Sequence, residues 1–317
     1  MTNLSHNRLV RTFTDLRKAK SKALLPFLTA GFPDLATTEA LLREMSRHGV
    51  RVCELGFPFS DPIADGPVIQ SSYTRALADG VTSGKIFEMV RRFRRAEARH
   101  TGESGATAAL LSSRGFVQRR TSRRDVAPDP SGNRKSKIEN RELCLAAMVS
   151  YTIVFRHGVK TFLSDAASAG FDATIIPDLP LEEAASFEAL AAGAGLANVM
   201  LISPTTAPAR RLEIARHSRG FIYFISVAGI TGERARLPQS TIDAVADLRK
   251  HTDTPVCVGF GISRPETVAQ VCRVADGAIV GSAIVHRIAD LAAARTPRAT
   301  LVRKVGDFVG KLLAPIR

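Results

Sequence analysis

The sequence predicts an α/β fold, a single (β/α)8 barrel (TIM barrel) that spans residues 1–317. Short apolar segments alternate with helical patterns along the chain. The apolar segments are continuous rather than alternating, which is typical of parallel strands buried on both faces. The chain contains eight such segments, each followed by a helical pattern, and eight strands close a barrel. The alternative is an open doubly wound sheet, which would need a crossover and usually has fewer repeats.

The predicted elements begin with a short amphipathic helix that carries Leu9, Phe13 and Leu16 on one face. The eight predicted strands are residues 23–29, 50–56, 143–151, 172–178, 198–203, 221–226, 255–260 and 277–282. Helical spacing of apolar residues predicts helices between strands, for example at 37–49, 68–80, 159–170 and 264–275. Most neighbouring strands begin about 22 to 35 residues apart, but the second and third begin about 93 residues apart.

The long interval before the third strand contains a segment of unusual composition. Residues 97–141 are rich in Ser, Gly and Arg and have no sustained apolar period. Such a segment cannot bury enough apolar area to offset the entropy of ordering, so we expect a largely disordered insertion within the single domain. Because it precedes a strand, it should lie at the N-terminal face of the barrel, away from the face where sites form.

The net charge of +14 is concentrated near this insertion. Residues 91–141 hold 14 Lys and Arg against 5 Asp and Glu, whereas the remaining residues hold 30 against 25. A basic, disordered arm that binds nucleic acid is therefore an alternative function class. Residues 97–141 contain one aromatic residue, Phe116, and so lack the stacking residues of a single-strand binder. Nucleic acid is not the partner that we expect.

Several observations predict a cytoplasmic protein without a membrane anchor. No apolar run approaches the ~20 residues of a membrane span, and the first residues lack the apolar stretch of a signal peptide. The four cysteines, Cys53, Cys144, Cys257 and Cys272, form no C-x-x-C pair. We expect buried, reduced thiols rather than a disulfide or a metal site.

The stretch ELGFPFSDPIADGP (54–67) begins with a carboxylate near the end of the second predicted strand. In barrels of this kind, active sites lie at the C-terminal ends of the strands. Glu54 should therefore point into the barrel mouth, with Cys53 and Leu55 facing the opposite way. Apolar neighbours would raise its pKa, which suits a group that exchanges protons near pH 7. An ion pair with a Lys or Arg near the mouth is an equally open alternative.

The loop after this strand carries Asp65 and is stiffened by Pro58, Pro62 and Pro67. Proline pre-sets the backbone and reduces the entropy that is lost when the loop is ordered. Such a loop can hold an acidic group over the site. The alternative is a turn aspartate that binds its own backbone, and Asp61 could be no more than a cap.

Glycine motifs follow the last two predicted strands, GFGIS at 259–263 and GSAIV at 281–285. Glycines let backbone N–H groups approach an anion, and Gly281 and Ser282 lie at the start of a helix whose dipole favours phosphate. Phosphate sites after strands seven and eight recur in this fold, although simple turn glycines are the alternative. The loop at 227–239 suits a lid over a phosphate ester or, equally, an ordinary surface loop.

Several segments together resemble the tryptophan synthase alpha chain family. They are LPFLTAGFPD (25–34), ELGFPFSDPIADGP, IIPDLP (175–180), the AGITGER segment of the loop, GFGIS and VGSAIV. The resemblance implies a TIM-barrel lyase that cleaves indole-3-glycerol phosphate by a retro-aldol step to indole and glyceraldehyde 3-phosphate, in L-tryptophan biosynthesis. It also implies a partner, the tryptophan synthase beta subunit, which holds pyridoxal phosphate and forms an alpha2-beta2 heterotetramer. No cofactor is then expected in this chain.

The same resemblance implies the catalytic roles. Glu54 would be the general acid/base that protonates the indole carbon bearing the glycerol chain and later assists its release. Asp65 would stabilise positive charge at the indole nitrogen and help remove its proton. Tyr223 aligns with a tyrosine near the catalytic glutamate, and Thr231 aligns with a lid threonine that contacts the catalytic aspartate.

Binding residues follow by the same alignment of motifs. The positions that match phosphate-binding residues are Gly232, Gly261, Gly281 and Ser282. The residues that would line the indole pocket are Phe27, Ile69, Ile153 and Ile175. Asp61 and Pro62 match residues that communicate with the beta subunit.

Two features depart from the family pattern: the 97–141 insertion and the third strand, which reads MVSYTIVF where many members have a Gly-Tyr-Tyr-Asn-type sequence. The second departure falls near the indole pocket and the subunit interface. Another phosphate-binding barrel of the same pathway, an indole-glycerol phosphate synthase, is the alternative enzyme. It would place a catalytic lysine on a strand, and none of the eight predicted strands contains a lysine.

Overall fold

The computed structural model describes residues 4–62, 65–100, 142–226, 237–259 and 261–317. Within these ranges the strands are β1 (Ala23–Thr29), β2 (Val52–Gly56), β3 (Cys144–Met148), β4 (Ala173–Ile175), β5 (Ala197–Val199), β6 (Leu201–Ile202), β7 (Ile222–Ile225), β8 (Val256–Gly259) and β9 (Gly277–Val280). The helices are α1 (Arg8–Lys18), α2 (Leu35–Arg47), α3 (Pro67–Ala78), α4 (Ser83–His100), α5 (Tyr151–His157), α6 (Val159–Ala169), α7 (Leu181–Gly193), α8 (Pro208–His217), α9 (Gln239–Leu248), α10 (Pro265–Val274), α11 (Ser282–Ala293) and α12 (Arg298–Leu313).

The strands form one parallel sheet in the order β5-β4-β3-β2-β1-β9-β8-β7-β6. Its two end strands, β5 and β6, are consecutive in the chain and are separated only by Met200. The backbone N–H of Met200 donates to the Ser218 hydroxyl (3.0 Å) rather than continuing a strand. The predicted fifth strand, 198–203, is therefore two short segments that pair with β4 and β7. This arrangement confirms the eight-repeat barrel and excludes the open sheet.

Successive residues of the strands serve two different apolar cores. In β1, Leu25 and Phe27 belong to the cluster inside the barrel. Leu24 and Leu28 belong to the larger cluster between the strands and the helices. All seven residues of β1 are buried. Burial on both faces explains why the strands read as continuous apolar runs.

The predicted N-terminal helix is α1, and the side chain of Asn7 caps it by accepting from the N–H groups of Leu9 and Val10. Leu9 and Phe13 are buried in the inner cluster, where the Phe13 and Phe221 rings lie 5.5 Å apart. Leu16 is only half-buried. The helix therefore covers one end of the barrel interior and supplies apolar side chains to it.

Helix α4 corrects the predicted start of the insertion. It continues to His100, so residues 97–100 are helical, and the predicted boundary at 97 is wrong. The Glu97 carboxylate explains the difference, because it pairs with Arg94 one turn earlier (2.7 Å) and accepts from the distant N–H of Leu143 (3.0 Å). The rest of the predicted insertion, 101–141, lies outside the described residues.

Two properties that were predicted from composition can be checked directly. All four cysteines are buried free thiols, as expected. In the part of the chain that the structure describes, no helix is long and apolar enough to cross a membrane.

An ion-pair network ties α1 and α4 to the strands at the end of the barrel opposite the mouth. Its centre is Asp172, whose side chain is only 5% exposed. The carboxylate of Asp172 accepts from Arg8 (2.8 Å), from Arg94 (3.0 Å) and from the N–H of Leu145 (2.9 Å). Because the buried charge is fully partnered, removing it would leave two arginines without their shared carboxylate.

We expect Asp172→Ala to lower the free energy of unfolding by about 3 kcal/mol or more, since it breaks a buried charge network. Urea denaturation followed by circular dichroism measures this. The matched control Asp247→Ala removes an exposed carboxylate that lies 3.7 Å from Lys250, and it should cost less than about 0.5 kcal/mol. Equal losses in the two variants would contradict the special role of Asp172.

Candidate active site

A cavity of about 230 Å³ opens at the C-terminal ends of the strands. Its walls come from β1, β2, β3, β7 and β9, from the start of α3 and from the start of α11. The lining residues are Phe27, Glu54, Asp65, Gly66, Val68, Ile69, Met148, Tyr223, Gly261, Ile262, Ser263, Ile279, Gly281, Ser282, Ala283 and His286. Most of the predicted site residues therefore meet at one place.

Glu54 lies in β2, between Phe27 of β1 and Ala146 of β3 in the sheet register. Its side chain is fully buried, and its two carboxyl oxygens have no hydrogen-bond partner among the described residues. Burial raises the pKa of Glu54 well above its ordinary value. The predicted alternative, an ion pair with a Lys or Arg, is not found in the described part of the chain. A buried carboxyl group that opens onto a cavity is instead equipped to exchange a proton.

Asp65 is half-buried at the end of the proline-rich loop, one residue before Gly66 caps α3. The Gln70 side chain donates to the carbonyl groups of Asp65 (2.9 Å) and Pro62 (3.1 Å). Burial raises the pKa of Asp65 from 3.8 to about 6. The loop therefore holds at the cavity a second carboxyl group, which titrates close to neutral pH.

Tyr223 lies in β7 and lines the same cavity. Burial raises its pKa well above the ordinary value, and the nearby carboxyl groups of Glu54 and Asp65 raise it further. Tyr223 therefore stays a neutral phenol beside the two acids. Tyr223 thus lies near Glu54 of β2, which is where the family resemblance places the corresponding tyrosine.

One wall of the cavity suits an anion. Gly281 precedes α11, and its carbonyl accepts from Ile284 and Val285, so the N–H groups of Ser282 and Ala283 open the helix without an intrahelical acceptor. The positive end of the helix dipole lies at the same point. Gly261 has a φ of +74°, a left-handed conformation that glycine adopts without strain.

Two predicted residues lie away from the cavity wall. Ile153 is on α5 and packs against the outer core, so the structure does not bring it to the cavity. The reason is that β3 ends at Met148, whereas the predicted strand continued to residue 151. The chain therefore turns into α5 before it reaches Ile153. Ile175 belongs to the inner apolar cluster but does not line the cavity. Thr231 and Gly232 lie outside the described residues.

The cavity also contains residues that the sequence reasoning did not select. Ser263 is the last residue of the GFGIS motif, and its hydroxyl oxygen is buried without a hydrogen-bond partner among the described residues. His286 follows Ser282 by four residues, which places both on one face of α11. Met148 is the last residue of β3. Helical spacing could have indicated His286, whereas Met148 required the true end of the strand.

The fold and the cavity together define an enzyme-like eight-repeat barrel with two acids, a phenol and a helix N-terminus at its mouth. The family model of the tryptophan synthase alpha chain matches residues 13–100 and 133–311. The chain belongs to the tryptophan synthase alpha chain family. The interruption of the match, 101–132, falls within the segment that was predicted as an insertion.

Individual relatives and solved structures agree with this assignment. The chain is 39% identical over 305 residues to the tryptophan synthase alpha chain of Rhodopirellula baltica, with 95% of each chain covered. It is 39% identical over 306 residues to that of Geobacter sulfurreducens, covering 96% of this chain and 97% of the relative. The tryptophan synthase subunit alpha of Legionella pneumophila str. Paris superposes with a TM-score of 0.76 at 29% identity, with 98% of each chain covered. Tryptophan synthase of M. tuberculosis in its aminoacrylate-bound form gives 0.72 at 25% identity, covering 98% and 100%.

The raised pKa of Asp65 makes a prediction about stability against pH. The folded protein retains a proton that the unfolded chain releases between pH 3.8 and about 6, so stability falls as the pH rises through this window. At about pH 7.5 the ionised group costs on the order of 2–3 kcal/mol. Asp65→Asn should recover that amount, and its advantage should shrink as the pH falls toward 3.8. Denaturant unfolding at a series of pH values measures it.

The matched control is Asp61→Asn, since Asp61 is an exposed carboxylate in the same loop. It should change the free energy of unfolding by less than about 0.5 kcal/mol at every pH. An Asp65→Asn advantage that does not depend on pH would contradict the burial of the charge.

Proposed function

We propose that this chain cleaves indole-3-glycerol phosphate to indole and glyceraldehyde 3-phosphate by a retro-aldol step. The observation that carries the proposal is the Glu54 carboxyl group, buried without a hydrogen-bond partner among the described residues and open to the cavity. Phe27 and Ile69 supply apolar walls to the cavity, and the start of α11, directly beside them, supplies N–H donors. This mixed lining suits a substrate that carries both an aromatic ring and a phosphate.

Glu54 acts first as an acid and then as a base. Its carboxyl proton passes to the indole carbon that bears the glycerol chain, which leaves positive charge on the ring. The resulting carboxylate then takes the proton of the hydroxyl group on the adjoining chain carbon. The carbon–carbon bond breaks, its electron pair returns to the ring, and the hydroxyl carbon becomes the aldehyde. A raised pKa suits the first step, because the group is protonated before the substrate reacts.

Asp65 stabilises the positive charge at the ring nitrogen while the ring carbon is protonated. Its pKa of about 6 leaves it mostly ionised near neutral pH. Two carboxyl groups with different pKa values can therefore perform different tasks in one cavity, Glu54 as the proton donor and Asp65 as the charge. Tyr223 remains a neutral hydrogen-bonding group beside them.

The phosphate binds at Gly261, Gly281 and Ser282, where helix N–H groups and a left-handed glycine leave room for an anion. Thr231 and Gly232 complete the phosphate end and the closed site in this proposal, as the family resemblance implies. Phe27 and Ile69 hold the indole ring, with Ile175 behind the cavity wall.

The proposed partner is a tryptophan synthase beta subunit, in an alpha2-beta2 heterotetramer. Phe155 of α5 is 69% exposed, and α5 follows β3 at the face of the barrel that holds the cavity. The loop that bears Asp61 and Pro62 follows the neighbouring strand β2 at the same face. The Asp178 carboxylate fixes the start of α5 by accepting from the Ser150 hydroxyl (2.8 Å). Phe155 is therefore an apolar anchor on a fixed helix.

Pyridoxal phosphate belongs to the beta subunit in this proposal, and no step of the cleavage uses it. Transfer of indole to that subunit would then complete the synthesis of tryptophan. We also place the protein in the cytoplasm, on the basis of its four buried thiols.

Glu54→Gln should lower kcat for cleavage of indole-3-glycerol phosphate at least about a hundredfold, because the amide cannot exchange the proton. Cleavage by both proteins is measured with and without a beta subunit, and thermal unfolding checks the fold. The matched control Glu88→Gln replaces a carboxylate on the exposed face of α4 and should retain wild-type kcat. A Glu54→Gln protein with wild-type turnover would exclude Glu54 as the acid.

Phe155→Ser should weaken the affinity for a tryptophan synthase beta subunit about tenfold or more, because a buried Phe contributes about 1.5–3 kcal/mol. Isothermal titration calorimetry with the purified beta subunit measures the dissociation constant. The matched control is Leu77→Ser, at the far end of α3, since Leu77 is the other large apolar residue that is exposed (37%) in the described ranges. Equal affinities for the two variants would exclude this face as the docking surface.

A further inference from the structure

Two tyrosine hydroxyl groups approach the barrel mouth from different sides, each over a glycine that ends a strand. Gly56 ends β2, and a β carbon added there would lie 2.7 Å from the Tyr73 hydroxyl oxygen. Gly259 ends β8, and a β carbon added there would lie 2.7 Å from the Tyr223 hydroxyl oxygen. Any side chain at either glycine would displace the phenol, so both strands end in the residue that admits it.

Tyr73 lies close to the two acids of the candidate site. Gly56 is two residues after Glu54, so both positions face the barrel interior, and the Tyr73 hydroxyl sits one layer nearer the mouth. The ring is buried in the inner cluster with Phe27 and Tyr223. The charges of Asp65 and then Glu54 add to burial in raising the pKa of Tyr73. For Tyr223 the order of the two acids is reversed. Tyr73 therefore lies near both acids, on the helix whose N-cap, Gly66, directly follows Asp65.

The helix that carries Tyr73 also fixes the loop that carries Asp65. Gln70, one turn earlier on α3, binds the Asp65 carbonyl at 2.9 Å. The Ser72 hydroxyl lies 2.7 Å from the Thr29 hydroxyl of β1, which fastens the same helix to the barrel. The helix that carries Tyr73 therefore also holds the backbone of Asp65 in place.

We propose that Tyr73 is a positioning residue of the site, whose hydroxyl group orients the Asp65 carboxylate toward the substrate; this role rests on the proposed cleavage reaction. A phenol donates to a carboxylate, and hydrogen bonds of a catalytic centre commonly shorten when the substrate binds. A donor favours the ionised form of Asp65, which opposes the effect of burial.

The other groups around Asp65 define what a change at Tyr73 would leave in place. Among the described residues, Glu54 faces it from β2, Tyr223 from β7 and His286 from α11, each lining the same cavity. Loss of the Tyr73 hydroxyl removes a donor and leaves Glu54 in β2 as the neighbouring acid. The pKa of Asp65 should then rise.

The test is Tyr73→Phe, which removes one oxygen and keeps the buried ring. The matched control is Tyr151→Phe, because the chain contains only three tyrosines and Tyr151 lies on α5, outside the cavity wall. Cleavage of indole-3-glycerol phosphate is followed across pH for the wild type and both variants, with a beta subunit present. Thermal unfolding is recorded alongside.

We expect Tyr73→Phe to keep the wild-type melting temperature and KM, to lose about tenfold in kcat, and to move the acid limb of the pH profile to higher pH. Tyr151→Phe should match the wild type in every measurement. A Tyr73→Phe profile identical to that of the wild type would overturn the proposal. So would a loss of kcat with an unshifted limb, since that would mark a purely structural role.

A second measurement does not depend on turnover. The stability gain of Asp65→Asn is measured against pH in the wild-type and Tyr73→Phe backgrounds, and its midpoint should lie at higher pH in the second. Coincident midpoints would overturn the proposal. A wild-type chain that does not cleave the substrate would instead overturn the proposed function, and the stability experiment would still decide the role of Tyr73.

Discussion

The burial of the Glu54 carboxyl group is the constraint on which the site depends. An acid without a hydrogen-bond partner among the described residues is costly to hold in an apolar interior. Glu54 stays buried because strands β1 and β3 flank it in the sheet, and its side chain can reach solvent only through the cavity. The raised pKa is the direct consequence, and it gives Glu54 the protonated form that the proposed reaction requires of its acid.

The neighbours of Glu54 follow from the same constraint. The Gln70 side chain binds the carbonyl groups of Pro62 and Asp65 in the proline-rich loop after β2. These bonds hold Asp65 at the rim of the cavity. The strand ends at Gly56 and Gly259 lack side chains, which makes space for the two phenols beside the acids. The start of α11 lies beside α3, where Gly281 approaches Ile69. The two acids and the helix N-terminus therefore share one small cavity.

The other end of the barrel holds a buried charge network whose groups are partnered. The Asp172 network joins α1, α4 and the start of β3 there, remote from the mouth. Leu9 and Phe13 of α1 close the apolar interior at that end. The partnered carboxylate of Asp172 and the carboxyl group of Glu54, which has no hydrogen-bond partner among the described residues, therefore lie at opposite ends of the barrel.

The barrel, the place of Glu54 at its mouth and the glycines that line the cavity could all be predicted from the sequence alone. Each of these depends on short-range information: apolar periodicity, the number of repeats and the rule that sites form where parallel strands end. The division of the fifth strand, the end of α4 and some of the residues around the cavity depend instead on tertiary contacts. The fifth strand divides at Met200 because the N–H of Met200 donates to the Ser218 hydroxyl. Residues 97–100 are helical because the Glu97 carboxylate binds Arg94 and the N–H of Leu143. Ile153 lies outside the cavity wall because β3 ends at Met148, and the missing side chain of Gly56 leaves room for the Tyr73 hydroxyl. Apart from the Arg94–Glu97 pair, these contacts join residues distant in sequence, so no local pattern encodes them.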